Sequence, residues 1–200
     1  FSIVKYEGSG VSGQQVPHGL SAAPEMIFIK NLDDADKWAV YNSSIGATKF
    51  LVLNETAVAV TSSAYWNNTA PTSTVFTLGA TSPVNSPNNE NYIAYCFHSV
   101  SNYSKIGSYS GSSSAVTVTT GFQPDFVLIK NIDGVRRWVM FDSVRNDFGS
   151  YLDASDSLAE QTDSTIAISV TSTGFVLPAG ANYTINSSGY DYIYMAFKIN

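Results

Sequence analysis

The sequence predicts an all-β chain of two tandem, pseudo-symmetric β-sandwich-type repeats, jelly-roll or lectin-like, spanning residues 1–100 and 101–200. Three observations carry this. Short runs rich in Val, Ile, Phe, Tyr and Thr alternate with clusters of Gly, Ser, Asn and Pro, the grammar of strands and turns. No stretch of a dozen residues keeps the 3.6-residue apolar period of an amphipathic helix. One passage also occurs twice: PEMIFIKNLDDADKWAVYNSS, Pro24 to Ser44, returns as PDFVLIKNIDGVRRWVMFDSV, Pro124 to Val144. A single larger sandwich made from both repeats is the alternative architecture.

The elements follow in order. Ser2–Tyr6 opens the chain as a strand, and Gly8–Gly13 (GSGVSG) closes it. Pro24 starts Met26–Lys30, because its missing N–H is harmless at a strand start. MIFIK and its counterpart FVLIK are nearly continuous apolar runs, suited to strands covered on both faces, by a core or by a neighbouring unit. NLDDAD is turn chemistry, so Met26–Lys30 and Trp38–Tyr41 read as a β-hairpin. Phe50–Leu53, Thr74–Leu78 and the alternating Tyr92–Phe97 complete the first repeat. Ser114–Thr119, Phe126–Lys130, Trp138–Phe141, Thr165–Val170, Gly174–Leu177 and Tyr192–Ile199 supply the second. SLAEQTDS, residues 157–164, suggests a lone helical turn.

The repeats align Pro24 with Pro124, Ile29–Asn31 with Ile129–Asn131, Trp38 with Trp138, and Phe97 with Phe197. Between these anchors the alignment slips by one, matching Leu53 with Leu152 and Phe76 with Phe175. Length changes confined to loops are expected of a structural repeat. The join falls near Val100–Tyr103. Each repeated Trp reads as a core anchor, since a ring of that size buries a large area.

Charged residues are only 13% of the chain, so Ser, Thr and Asn, 59 in all, carry most of its polarity. That balance suits secreted proteins, lectin-like domains and virion parts, and equally any loop-rich β protein. The net charge of −6 and ten scattered basic residues argue against nucleic acid, which needs a basic stripe. No apolar run approaches a membrane span, and no signal-peptide pattern or initiator Met opens the chain. A fragment or processed product is therefore expected. The single cysteine, Cys96, excludes an intrachain disulfide and reads as a buried small side chain.

Catalytic and cofactor motifs fail on context. GSGVSG matches G-x-G-x-x-G, but Pro17 and Gly19 follow it where a phosphate-binding helix is needed. GSSSA, residues 111–115, lacks a strand-to-helix elbow, and neither His18 nor His98 has an acid partner by spacing. Asp33, Asp34 and Asp36 form the densest carboxylate cluster, yet the second repeat puts Asp133, Gly134 and Arg136 there, which would not hold a cation. No feature pairs two carboxylates for glycosidase chemistry. No enzyme, cofactor or metal is expected.

The leading ligand candidate is SAYWNNTAPTS, with Tyr65, Trp66, Asn67 and Asn68 in a loop-like setting that the second repeat lacks. Aromatic faces stack on sugar rings, and Asn both donates and accepts hydrogen bonds. In the competing reading, Tyr65 and Trp66 cover the edge of a sandwich. A second candidate is AGANYTINSSGYDY, around Tyr183 and Tyr190. Asn42, Asn54 and Asn182 form Asn-x-Ser/Thr triplets, which matter only in a eukaryotic secretory pathway.

Across nearly its whole length the chain resembles a repeated module of tail-fibre-like proteins of tailed phages, especially those of marine bacteria and cyanobacteria. The resemblance rests on FSIVKYEGSG, HGLSAAPEMIFIKN, WAVYNSSIGATKFLVLN, NYIAYCF, GFQPDFVLIKN and WVMFDSVRN. The family pattern of a Gly-Phe-Gln-Pro-Asp opening, a Trp strand and an Asp-Ser-Val-Arg turn is met at Gly121–Asp125, Trp138 and Asp142–Arg145. The first repeat departs from it, with Asn42-Ser43-Ser44 at the turn. The resemblance implies a structural and adhesive domain on the virion surface, in contact with other virion proteins or with copies of itself as a homotrimer. A host-surface glycan or protein would be its receptor. A carbohydrate-binding module is the alternative, and a glycan-degrading enzyme ranks third.

Overall fold

The computed structural model describes residues 1–180 and 183–199. The fold is all-β, and contacts divide it into two compact units. Unit 1 comprises Phe1–Asn54 and Ala59–His98; unit 2 comprises Ser99–Asn200 together with Glu55–Val58. No helix among the described residues is long and apolar enough to cross a membrane.

Unit 1 contains β1 (Ser2–Glu7), β2 (Gln14–Pro17), β3 (Met26–Asn31), β4 (Ala39–Asn42), β5 (Lys49–Val52), β6 (Val60–Thr61), the one-turn helix α1 (Ser63–Trp66), β7 (Val75–Leu78) and β8 (Asn91–Phe97). A six-stranded sheet runs β1-β8-β3-β4-β5-β6, and β2 pairs with β7 in a second, smaller sheet. The hydrophobic core draws on both sheets: Ile27, Ile29, Tyr41, Tyr92, Ala94 and Cys96 from one, Val16, Phe76 and Leu78 from the other. Period-2 alternation sends Tyr92, Ala94 and Cys96 of β8 into that core. Burial pushes the Cys96 thiol up to about 12.

Unit 2 contains β9 (Ser104–Ser110), β10 (Val116–Thr119), β11 (Phe126–Asn131), β12 (Trp138–Asp142), β13 (Ser150–Asp153), β14 (Gln161–Thr162), β15 (Ser169–Thr171), β16 (Gly174–Leu177) and β17 (Asp191–Phe197). Its large sheet runs β9-β17-β11-β12-β13-β14, and β10-β16-β15 forms the smaller one. The order of the large sheet follows the same scheme as in unit 1. Stacked tyrosines mark corresponding places: Tyr6 on Tyr92 at 5.1 Å, and Tyr109 on Tyr192 at 5.0 Å. The hydroxyls of Tyr6 and Tyr109 donate to the carbonyls of Val84 and Ile185 respectively.

The doubled IKN passage forms the expected hairpins, β3–β4 and β11–β12, each flanked by β8 or β17. Both faces of β3 and β11 are largely buried, as their continuous apolar runs require. The two tryptophans behave differently from expectation. Trp138 is buried and Trp38 half-buried, but neither belongs to the core between the sheets. Trp138 lies across from Lys130, on the opposite sheet face from the inward Ile129 and Val139.

Two strands, β2 and β9, carry too much Gln, Ser and Gly to stand out by composition, and β13 is a four-residue strand with only two apolar side chains. Conversely, only Ser169 and Val170 of the expected Thr165–Val170 strand are extended, within β15. SLAEQTDS is no helical turn; it runs without helix into β14. The slipped alignment at Leu53 also shifts. Leu51 pairs with Val40 and Leu152 with Met140, so Leu51, not Leu53, is the partner of Leu152. Unit 2 therefore has one extra residue in its preceding loop. There Asn146, Asp147 and Phe148 have φ of 50°, 46° and 65°. Asn and Asp tolerate this region; Phe148 is held there by its buried ring.

Candidate functional site

Asn31 and Asn131 end β3 and β11, and each organises the turn that follows. The Asn31 side-chain oxygen accepts from the N–H groups of Asp33 and Asp34. The Asn131 oxygen accepts from Asp133 and Gly134. The repeated Asn is thus scaffold: a buried amide that closes a turn. The next turn is tied back in the same way, because Asp33 and Asp133 accept the N–H groups of Asn91 and Asp191. That bond holds the Asp33 carboxyl below its ordinary range. The acidic run is a capped turn, and no metal-holding group of side chains occurs among the described residues.

Around this shared frame the two units present opposite chemistry. In unit 1 the Asn31 amide donates to Asp36 at 3.1 Å and Glu90 at 2.6 Å, and Ser82 donates to Asp36 at 2.6 Å. The amide keeps the Glu90 carboxyl low. In unit 2 the corresponding positions are Arg136, Tyr190 and Tyr183. The backbone establishes the correspondence. Tyr92 donates to the carbonyl of Ser82, and Tyr192 to that of Tyr183. Gly8 donates to the carbonyl of Glu90, and Gly111 to that of Tyr190. Burial pushes Tyr92 and Tyr192 up to about 12, so both remain protonated donors.

In unit 2 the Tyr183 ring is 49% exposed. The Arg136 guanidinium lies over that ring, 5.2 Å from its centroid, and Tyr190 meets it in a T-shaped contact at 5.4 Å. Tyr183 borders a pocket of about 300 Å³, lined also by Ser112, Ser113, Asn186, Ser187 and Ser188. Asn186 is fully buried and its side chain is saturated: its oxygen accepts from Ser112, and its amide donates to Ser114 and Pro178. It fixes the wall, where the Ser112 hydroxyl accepts from the Ser114 N–H. Asn85 does the same work in unit 1, accepting from Ser9 and Gly10 and donating to Val11 and Gly79. This also accounts for GSGVSG, which is a β1–β2 connection with Gly10 and Gly13 at positive φ. At Gly10 a Cβ would lie 2.5 Å from Pro87, which stands where unit 2 has Ser188. Replacing Asn186 by Ala leaves buried carbonyls unpaired and should cost about 2 kcal/mol in a urea melt. An unchanged midpoint would contradict its bracing role.

The first candidate from the sequence is corrected by the fold. Trp66 is 1% exposed and Tyr65 9%, so neither offers a face to a sugar. The stretch forms α1, not a loop. Ser62 caps its start, accepting from Ala64, and the single turn points both rings inward. Tyr65 stacks on Phe50 at 3.6 Å, and Trp66 meets Tyr41 at 5.6 Å. Asn67 ends the helix at φ 49°, and Asn68 follows at φ 51°. Left-handed backbone accounts for two successive asparagines.

His18 is buried, with one ring nitrogen near Thr72 and the other accepting from Leu20. Asn42 is fully buried, Asn54 accepts from Trp38 on a β-turn edge, and Asn182 lies outside the described residues. Arg136, Ser112 and Ser113 were not singled out for a ligand by sequence reasoning. The usable signal was the charge and ring exchange between aligned repeats, Asp36 to Arg136 and Glu90 to Tyr190.

A family model described as a domain of unknown function (DUF7483) matches residues 1–200. No curated protein and no solved structure matches the chain.

Proposed function

The chain belongs to the DUF7483 family over residues 1–200, and on that premise we propose that it is an adhesion module that contacts a surface glycan through unit 2. The wider setting in this reading is a tail fibre or similar appendage of a phage virion, with other virion proteins or copies of the chain as neighbours. The resemblance of the sequence to tail-fibre modules supports that setting, and so does a surface rich in hydroxyls and amides and poor in charge. The net charge of −6 supports a ligand other than nucleic acid. No catalytic role is assigned.

One observation carries the glycan reading: a half-exposed tyrosine stands beside a serine-lined pocket in unit 2, and unit 1 has Ser82 in place of that ring and Gly10 and Pro87 in place of Ser113 and Ser188. Sugar rings bury their C–H faces on aromatic surfaces while their hydroxyls exchange hydrogen bonds with Ser and Asn groups. Tyr183→Ala should therefore weaken glycan binding at least about 10-fold, as expected for an aromatic anchor. Calorimetry on array-selected glycans measures this. Absence of binding by the wild-type chain to every neutral and acidic glycan would leave only a passive structural role. Sedimentation tests self-assembly: a strict monomer at micromolar concentration counts against the homotrimer.

A further inference from the structure

We propose that the glycan bound by unit 2 carries a carboxylate, that Arg136 reads it, and that each chain holds one such site despite its two repeats. This rests on the glycan reading above and narrows it to acidic sugars of the uronic class.

The argument starts from the guanidinium. Arg136 is half-exposed and among the described residues pairs with no carboxylate. Its neighbour Arg137 is committed, with Asp153 at 3.2 Å and Asp156 at 4.0 Å. Arg145 is committed to Asp142 and Glu160. Arg136 uses one side-chain nitrogen on the Val135 carbonyl. An arginine has five N–H donors in a planar fork, so most of that fork remains for a ligand. The contact with the Tyr183 ring restrains the guanidinium, and a planar fork matches a carboxylate with two parallel hydrogen bonds.

The ring and the fork then divide the ligand between them. Tyr183 borders the serine pocket and lies under the guanidinium. A sugar seated against the pocket would keep its ring near Tyr183 and its hydroxyls near Ser112 and Ser187. A carboxylate substituent would reach past the ring to Arg136. The backbone of Arg136 is pinned independently, since its N–H donates to the Thr56 carbonyl and its carbonyl accepts from Lys130. The side chain is thus presented from a fixed stem.

Unit 1 supplies the contrast. The same frame there holds Asp36, Ser82 and Glu90, with two carboxylates at the Asn31 amide. Like charge at that position repels an anionic sugar. The doubled fold is expected to give a stoichiometry of one.

The test is calorimetry of the 200-residue chain against three probes: a polyuronate oligosaccharide, a sulfated oligosaccharide and a neutral oligosaccharide of equal length. The expected result is a preference for the uronate, with one site per chain and affinity falling as NaCl rises. Arg136→Gln should weaken uronate binding by roughly 10- to 100-fold and neutral binding by far less, so that the preference for the uronate is lost. Arg136→Lys keeps the charge without the fork and should recover only part of the loss. Thermal melts of both variants check that the fold is intact. Equal binding of neutral and uronate probes would overturn the carboxylate assignment yet leave the glycan reading standing. Preference for the sulfated probe, or two sites per chain, would also overturn it. Failure of all three probes would count against the glycan reading itself.

Discussion

Trp66→Ala is expected to destabilise unit 1 by about 3–5 kcal/mol, the usual cost of truncating a fully buried aromatic. The ring is 1% exposed and packs among Tyr41, Tyr65 and the inward face of the large sheet. A domain of this size has about 5–15 kcal/mol of stability to lose, so the variant approaches or crosses its unfolding threshold at moderate urea. Trp66→Phe should be far milder, below about 1.5 kcal/mol, because it conserves most of the apolar volume. The indole N–H also has no acceptor among the described residues, so no hydrogen bond is lost. Urea melts of the two variants decide the matter. A Trp66→Ala midpoint within experimental error of the wild type would mean that the ring is not a core element. Glycan binding by Trp66→Phe should match the wild type, which separates this residue from Tyr183.

The second large effect is on pH. Lys130 is fully buried, and its amine donates to the carbonyls of Thr56, at 3.0 Å, and Arg136. Burial lowers its pKa from 10.5 to about 8; Asp153 opposes the shift and Arg136 adds to it. The folded chain therefore sheds this proton before the unfolded chain does. Between about pH 8 and 10.5 this group binds more protons in the unfolded state, so its contribution to stability rises with pH. From pH 7.5 to 9.5 the Lys130 contribution should be a gain of about 2 kcal/mol, offset in part by Cys96, which stays protonated in the fold up to about 12 while an unfolded thiol ionises near 9. Above that range the slope reverses, because Tyr92 and Tyr192 stay protonated in the fold up to about 12 while unfolded tyrosine ionises near 10. Denaturant melts of the wild type and Lys130→Met at four pH values measure the difference in slope, and the variant should lack the Lys130 gain. A Lys130→Met pH profile parallel to that of the wild type between pH 7.5 and 9.5 would refute the assignment.

The large sheets were legible because their strands obey simple rules. Continuous apolar runs mark β3 and β11, which are buried on both faces, and strict alternation marks β8, which is buried on one. Edge and hydroxyl-rich strands such as β9 were not legible, since Ser and Gly carry no periodic signal. Pairing with β17 decides them. The site was legible only as its less favoured half. Tyr183 and Tyr190 lie in the second stretch singled out for a ligand, while in the first Tyr65 and Trp66 turned inward and Asn67 and Asn68 stayed at the surface. Local composition cannot tell a loop of two aromatics and two asparagines from a one-turn helix with an asparagine cap. The difference depends on whether a core lies beneath it.

By itself, the sequence determined that this chain is all-β, that one hairpin sentence is written twice, and that its net charge is −6. Those are properties of period, composition and charge, which act locally or sum over the chain. Only the tertiary structure decided that Asn31 and Asn131 are turn-closing scaffold and that Trp66 is core. It also decided that Arg136, Tyr183 and the serines of residues 112–113 meet at one surface. Those residues lie up to about seventy positions apart in the sequence. Their meeting is set by which strands pair and which rings find burial, and neither is encoded in any short stretch.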